Sequence, residues 1–385
     1  MIATPLAIAS VLLIASAADD DARVLRQLER SRGSFLSAKD WEERRAELRE
    51  GFLRGARLWP LPPKTPLNPI VRDERVYADY SVANVALEAL PGFFCTGNLY
   101  RPLGRPGPRA AILCPHGHFP LGRFRTEQQI RCAHLARMGA IVFSYSMVGW
   151  QDSQQTDHKD PLVLALQTWN SIRVVDYLCN LPEVDPKRIG VTGASGGGTQ
   201  TFFLTAVDDR ISVSVPVVIV YPWSWFSHAC NCETGMPVMR SPETNAIELA
   251  AVAAPRPQLI ISCGLASAGN PRKDPTCDFP TTGFPFIQDV YRTFGVPDRV
   301  RSAHFAAEGH DYGPSKRRET YAFLAVHLGL AAMDEVRERI VIEPPERMSV
   351  FTAHDPPPKN VVRGRNAVAE AFGKLTGNRN DVPAP

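Results

Sequence analysis

A serine flanked by glycines, Gly193-Ala194-Ser195-Gly196-Gly197, stands between two stretches of different character. Before it, Arg188-Ile189-Gly190-Val191-Thr192 is short, apolar and strand-like; after it, Gly198 to Ala206 has helical composition. A serine on so sharp a strand-to-helix turn must take strained backbone angles. Glycines two residues away on either side let strand and helix approach without a Cβ clash and leave the hydroxyl exposed at the sheet edge. The five-residue pattern alone is common in loops. Its position is what points to a nucleophile.

A serine hydroxyl is a poor nucleophile near neutral pH unless a base takes its proton. His310, in Glu308-Gly309-His310-Asp311-Tyr312-Gly313, directly follows the expected strand Val300–Ala306 and is the best candidate. His304 falls inside that strand and His327 inside the last helix, where structural roles are expected. A carboxylate must fix the tautomer of the base, and it should lie between Ser195 and His310. Asp274 and Asp278 both qualify, and their positions barely separate them. For the developing oxyanion, Cys114-Pro115-His116-Gly117-His118 offers the backbone N–H of His118, with that of Gly196 as second donor. His116 reads as an orienting residue.

These residues require a scaffold that brings loops to one sheet edge. From Ala110 onward, strands are expected at Ala110–Cys114, Ala140–Tyr145, Ile189–Thr192, Ile211–Val220, Gln258–Ser262 and Val300–Ala306. They alternate with helices at Glu127–Met138, Leu162–Leu181, Phe286–Phe294 and Thr320–Leu328. That rhythm implies an α/β fold with a mainly parallel, doubly wound sheet. Upstream, Ala22–Arg57 has helical spacing with a capping box at Ser37 to Asp40, followed by a Pro-rich connector. Arg75–Tyr80, Ala83–Leu90 and Phe93–Tyr100 alternate like antiparallel strands, with turns near Ser81 and Pro91-Gly92. Residues 221–250 form a lid-like excursion over the active edge, and a tail from 331 to 385 carries a helix at Asn366–Leu375. The order Ser, Asp, His along the chain is that of the α/β-hydrolase fold.

The 385 residues carry a formal charge of +3, with no basic run interleaved with aromatics, which argues against a nucleic-acid partner. Pro5–Ala15 is apolar and Ala15-Ser16-Ala17 resembles a cleavage site, so residues 1–17 read as a signal peptide and the mature protein as exported, without stable membrane association. In an oxidising compartment Cys230, Cys232, Cys263 and Cys277 are open to pairing that sequence cannot assign. A metal reading of His228, Cys230 and Cys232 lacks a second ligand pair with zinc-like spacing, so no metal site is expected.

The chain resembles α/β-hydrolase-fold serine esterases of the acetyl xylan esterase and dienelactone-hydrolase-like group from about Trp41 to Leu328. The likeness rests on Trp59-Pro60-Leu61-Pro62, Gly97-Asn98-Leu99-Tyr100-Arg101-Pro102, Met147-Val148-Gly149-Trp150 and Cys230-Asn231-Cys232-Glu233 besides the serine motif. In such proteins the acid often opens an Asp-Trp-Thr stretch ahead of Phe-Pro. Asp274-Pro275-Thr276 with Phe284-Pro285 follows that pattern except for Pro275, which favours Asp274. Ser146 stands where relatives tend to have an aspartate. The resemblance implies cofactor-free hydrolysis of short acyl esters, acetyl above all, on a small molecule or a polysaccharide such as acetylated xylan. Trp150, Trp223 and Trp225 are then candidate sugar-stacking faces. A peptidase of related fold and a catalytically silent binding protein are the alternatives.

Overall fold

In the computed structural model, residues 22, 24–104, 107–221, 230–234, 245–267 and 272–377 are described. Among these residues nine strands form one sheet: β1 (Ile70–Val76), β2 (Tyr80–Leu90), β3 (Phe93–Pro102), β4 (Arg109–Leu113), β5 (Ile141–Tyr145), β6 (Val184–Ala194), β7 (Ile211–Val217), β8 (Gln258–Cys263) and β9 (Val300–Phe305). Their order is β1-β2-β3-β5-β4-β6-β7-β8-β9. Pairings from β1 through β5 are antiparallel, and the remaining pairings are parallel.

The longer helices are α1 (Ala38–Gly55), α2 (Thr126–Arg137), α3 (Val163–Cys179), α4 (Gly196–Val207), α5 (Phe284–Thr293), α6 (Pro314–Leu328) and α7 (Arg365–Thr376). The central strands are apolar on both sides because both faces are covered. On β4, Ala111 and Leu113 join a core with Trp169 of α3 and Phe203 of α4. Ala110 and Ile112 join the opposite core with Leu135 of α2 and Leu324 of α6. Gly190 on β6 faces α6 closely: a Cβ there would lie 2.9 Å from Leu328 Cδ1, the tip of a side chain.

Several boundaries differ from the sequence expectation. The first helical region breaks after 32, and α1 starts behind Ser37, whose hydroxyl accepts from the Asp40 N–H while Asp40 accepts from the Ser37 N–H. The strand expected at Arg75–Tyr80 is β1, beginning at Ile70; a register shift between Arg72 and Arg75 brings Asp73 to φ 49°. The turn falls at 77–79, so Ser81 is inside β2. β7 stops at Val217 because Val218 adopts φ 48°. α6 begins six residues early, at Pro314, a first-turn position where a missing N–H costs nothing.

The segment beyond Leu328 wraps back over β1–β3. Val350 packs with Ala86 and Phe94 on the sheet face that an antiparallel edge would otherwise give to water. Val362 N–H donates to Gly92 O at 2.9 Å. β2 is consequently buried along its whole length.

Candidate active site

β6 delivers Ser195 at φ 56°, ψ −128°, a region that only glycine visits freely. The turn is held by the Ser195 N–H donating to Val217 O at 3.0 Å. The glycines around it mark true close approaches. A Cβ on Gly193 would lie 2.5 Å from Gly197 O and 2.6 Å from Pro115 O; one on Gly197 would meet Pro115 O at 2.5 Å. The first turn of α4 thus packs directly on the 115–118 loop. Its leading N–H groups have no intrahelical acceptor and carry the positive end of the helix dipole.

β8 and β9 bring the other two groups to the same carboxyl edge. Asp274 Oδ2 accepts from His310 Nδ1–H at 2.7 Å, while Oδ1 accepts from the Thr276 hydroxyl at 2.6 Å and the Thr276 N–H at 2.8 Å. Burial alone would raise this carboxyl, but the His310 and Thr276 contacts outweigh it and hold Asp274 below the ordinary carboxylate value. Burial, with Asp274 alongside, pushes the neighbouring Cys263 thiol up to about 12. Asp278, the other candidate acid, is exposed at the start of Phe279–Thr282. The geometry therefore joins Asp274, not Asp278, to His310.

The loop bearing His310 is clamped from below. Lys316 Nζ, fully buried, donates to Glu308 at 3.0 Å, Gly309 O at 3.0 Å and Asp311 at 2.7 Å. Tyr312 OH bonds Thr192 Oγ1 at 2.6 Å, tying that loop to the strand that leads into Ser195. The Phe119 ring lies 6.2 Å from the His310 ring. Among the described residues His310 and Ser195 share no direct hydrogen bond; with Nδ1 committed to Asp274, Nε2 is the nitrogen left for the hydroxyl.

His116 is buried, its Nδ1–H donating to Gly117 O at 2.9 Å and its Nε2 accepting from the Met147 N–H at 3.0 Å. Burial lowers its pKa to about 3, so it is a neutral strut between two edge loops. His118 lies over Gly196, where a Cβ would meet its Cε1 at 2.7 Å. Trp150 stands edge-on to His116, His118 and His158 at 5.6, 6.1 and 5.9 Å. Trp223, Trp225, His228 and residues 1–17 lie outside the described residues. Ser146 explains its own departure from the family pattern: its hydroxyl accepts from Arg123 Nε at 2.8 Å, and Asp152, 2.6 Å from Arg123 Nη2, supplies the countercharge. His304 bonds Ser262 at 2.8 Å within the sheet.

The eight cysteines form no disulfide. Instead Cys230 and Cys232 meet His118 and His158, a convergence that sequence reasoning missed because His158 comes from a third loop with no local motif.

Comparison with known proteins agrees with this architecture. The family described as glucuronyl esterase, fungi, matches residues 154–220, which span α3, the Ser195 turn and β7. None of the curated proteins matches the chain. Two glucuronoyl esterase structures share the fold: one from Teredinibacter turnerae is 16% identical (75% of this chain, 85% of that one, TM-score 0.55). The other, from Solibacter usitatus, is 17% identical (76% and 94%, TM-score 0.56). Methylesterase BT1017 is far nearer, 35% identical over 93% of this chain and 81% of its own, with a TM-score of 0.84. At that identity across nearly the whole chain, the likeness extends beyond the fold, and the protein belongs to the α/β-hydrolase-fold esterases, in one family with methylesterase BT1017.

Proposed function

We propose that the protein hydrolyses carbohydrate esters through an acyl-enzyme, with Ser195 as nucleophile, His310 as base and acid, and Asp274 as the carboxylate that orients it. The observation that carries this reading is the 2.7 Å His310–Asp274 hydrogen bond at the sheet edge where Ser195 sits on its strained turn. Ser195 Oγ attacks the ester carbonyl as its proton passes to His310 Nε2. The oxyanion accepts hydrogen bonds from the N–H groups of Gly196 and His118. His310 then protonates the leaving alcohol and activates water against the acyl-enzyme. Asp274 stabilises the imidazolium in both steps without taking a proton.

For the ester itself, the reading from sequence is an acetyl group on a sugar hydroxyl, with Trp150, Trp223 and Trp225 as sugar contacts. A second reading is favoured by the similarity to a methylesterase and to glucuronyl esterases. In it a uronic acid is the acyl part and a small alcohol leaves. Incubating the enzyme with acetylated xylan and with a methyl-esterified polyuronate, and measuring acetate and methanol, separates the two. A fluorophosphonate probe that labels wild type but not Ser195→Ala supports the serine mechanism; failure to label overturns it.

Export is part of this proposal, since an acylated polysaccharide lies outside the cell. No helix among the described residues is long and apolar enough to cross a membrane. An amino terminus of the secreted protein just after Ala17 supports the leader at residues 1–17.

A further inference from the structure

Four ligand-type atoms from three loops converge beside the Ser195 turn: His118 Nε2, His158 Nε2, Cys230 Sγ and Cys232 Sγ, all within 4.8 Å of one another. The two imidazole nitrogens are 2.9 Å apart and the two sulfurs 3.0 Å; Cys230 lies 3.3 Å from His118 and 3.4 Å from His158, and Cys232 lies 3.3 Å from His118. Zinc–ligand bonds of about 2.0–2.3 Å in a tetrahedron place neighbouring donors about 3.3–3.8 Å apart. The four side chains need to ease outward by less than an ångström to enclose an ion.

The surroundings favour a cation over a mere polar cluster. His158 Nδ1–H donates to Val148 O at 2.6 Å, which leaves Nε2 as a lone pair aimed into the cluster. That is the outer hydrogen bond typical of a metal-bound imidazole. The Cys232 turn is itself docked: Glu233 Oε1 accepts from the Thr199 hydroxyl at 2.7 Å, and Cys232 O accepts from Gln200 at 3.4 Å, both on α4. Cys232 is buried and its three companions half-buried, so the donors are shielded but reachable.

We propose that His118, His158, Cys230 and Cys232 form a structural Cys2His2 site for zinc. Binding displaces the thiol protons and gives two thiolates and two neutral imidazoles around the ion. With four protein ligands the site has no open position for substrate, so its work is mechanical. It staples the connector after β7 to the loops after β4 and β5. It also fixes the 117–119 backbone, the proposed oxyanion donor. The inference goes beyond the ester chemistry and does not depend on it.

The test uses the full-length protein expressed with added zinc. Elemental analysis is expected to find about one zinc per chain. After chelation, titration with Co²⁺ alone is expected to give the visible absorption of tetrahedral, thiolate-bound cobalt, saturating at one equivalent. Cys230→Ser and His158→Ala are expected to lose the ion, while Cys179→Ser, outside the cluster, keeps it. If the variants fail to fold, the wild-type cobalt spectrum still decides. No zinc together with no thiolate–cobalt absorption overturns the proposal. So does finding only six titratable thiols among the eight cysteines in unreduced, denatured protein with Cys230 and Cys232 joined, since a disulfide would then occupy the site.

Discussion

Asp274→Asn is the sharpest probe of the site because the geometry dictates what the amide must do. The side chain is only 1% exposed, so it cannot swing into water. Its Oδ1 is held by two bonds from Thr276, and an asparagine carbonyl can keep both. The amide NH2 must then occupy the Oδ2 position, 2.7 Å from His310 Nδ1. Two donors cannot face each other, so Nδ1 must become the acceptor and the ring proton moves to Nε2. The imidazole then loses the lone pair that, in the proposed mechanism, takes the serine proton. The expected loss is roughly 10³–10⁴-fold in kcat, about 4–5 kcal/mol of barrier, with KM nearly unchanged. Asp278→Asn, at an exposed position, should stay within about 3-fold, as surface changes usually do. Turnover of an aryl acetate, normalised to active sites, measures both. A variant at Asp274 within about 10-fold of wild type would refute the assignment. A second readout follows from linkage. Asp274 ionises more readily in the folded chain than its ordinary 3.8, so it stabilises the fold above that pH and loses this as pH falls through its folded value. Urea titrations of wild type and Asp274→Asn should therefore converge as pH drops below about 3.8.

Other substitutions test the neighbouring parts. Ser195→Ala and Ser195→Gly should both abolish turnover, by roughly 10⁴-fold or more. Ser195→Gly should unfold at higher denaturant than Ser195→Ala, because φ 56° is strained for alanine and free for glycine. Gly193→Ala should cut turnover by over about 10²-fold without removing any of the three proposed catalytic side chains, since its Cβ must displace backbone on both sides of the turn that carries Ser195; normal kinetics would mean the packing is looser than 2.5 Å contacts allow. Arg123→Met should cost about 3–5 kcal/mol in urea unfolding by leaving Asp152 without its charge partner. On aryl esters, kcat/KM should fall steeply from acetyl to octanoyl, at about 1–3 kcal/mol for overfilling a packed pocket; a flat profile would favour a broad carboxylesterase.

Much of this was legible in the sequence, and the rest was hidden for physical reasons. Strand β4 could be read because Ala110 through Leu113 is apolar at every position, the mark of a strand covered on both faces. Ser195 was visible because its glycine-flanked serine stands between a strand-like and a helical stretch. Asp274 and Asp278 could not be separated by spacing, because the difference is burial: one is capped by Thr276 inside, the other faces solvent. His158 was invisible for another reason. It joins the Cys230–Cys232 turn from 72 residues away, and no local pattern encodes a contact made by chain folding.

The C-terminal segment shows the same limit from the other side. Read alone, residues 331–385 offered a helix and no chemistry. In the fold, Met348 O accepts from Arg123 at 2.9 Å and from Asn98 at 2.9 Å, and the Val350 N–H donates to Asp152 Oδ2 at 2.7 Å. Arg123, Asn98 and Asp152 carry the buried polar network behind the loop of Ser146 and Met147, the loop whose N–H holds His116. Removing Met348 and Val350 would strip acceptor and donor from a fully buried guanidinium and its carboxylate, which costs more than any surface contact. This segment thus helps set the geometry of the loop facing Gly196. Its deletion should be felt at the active edge as well as in stability.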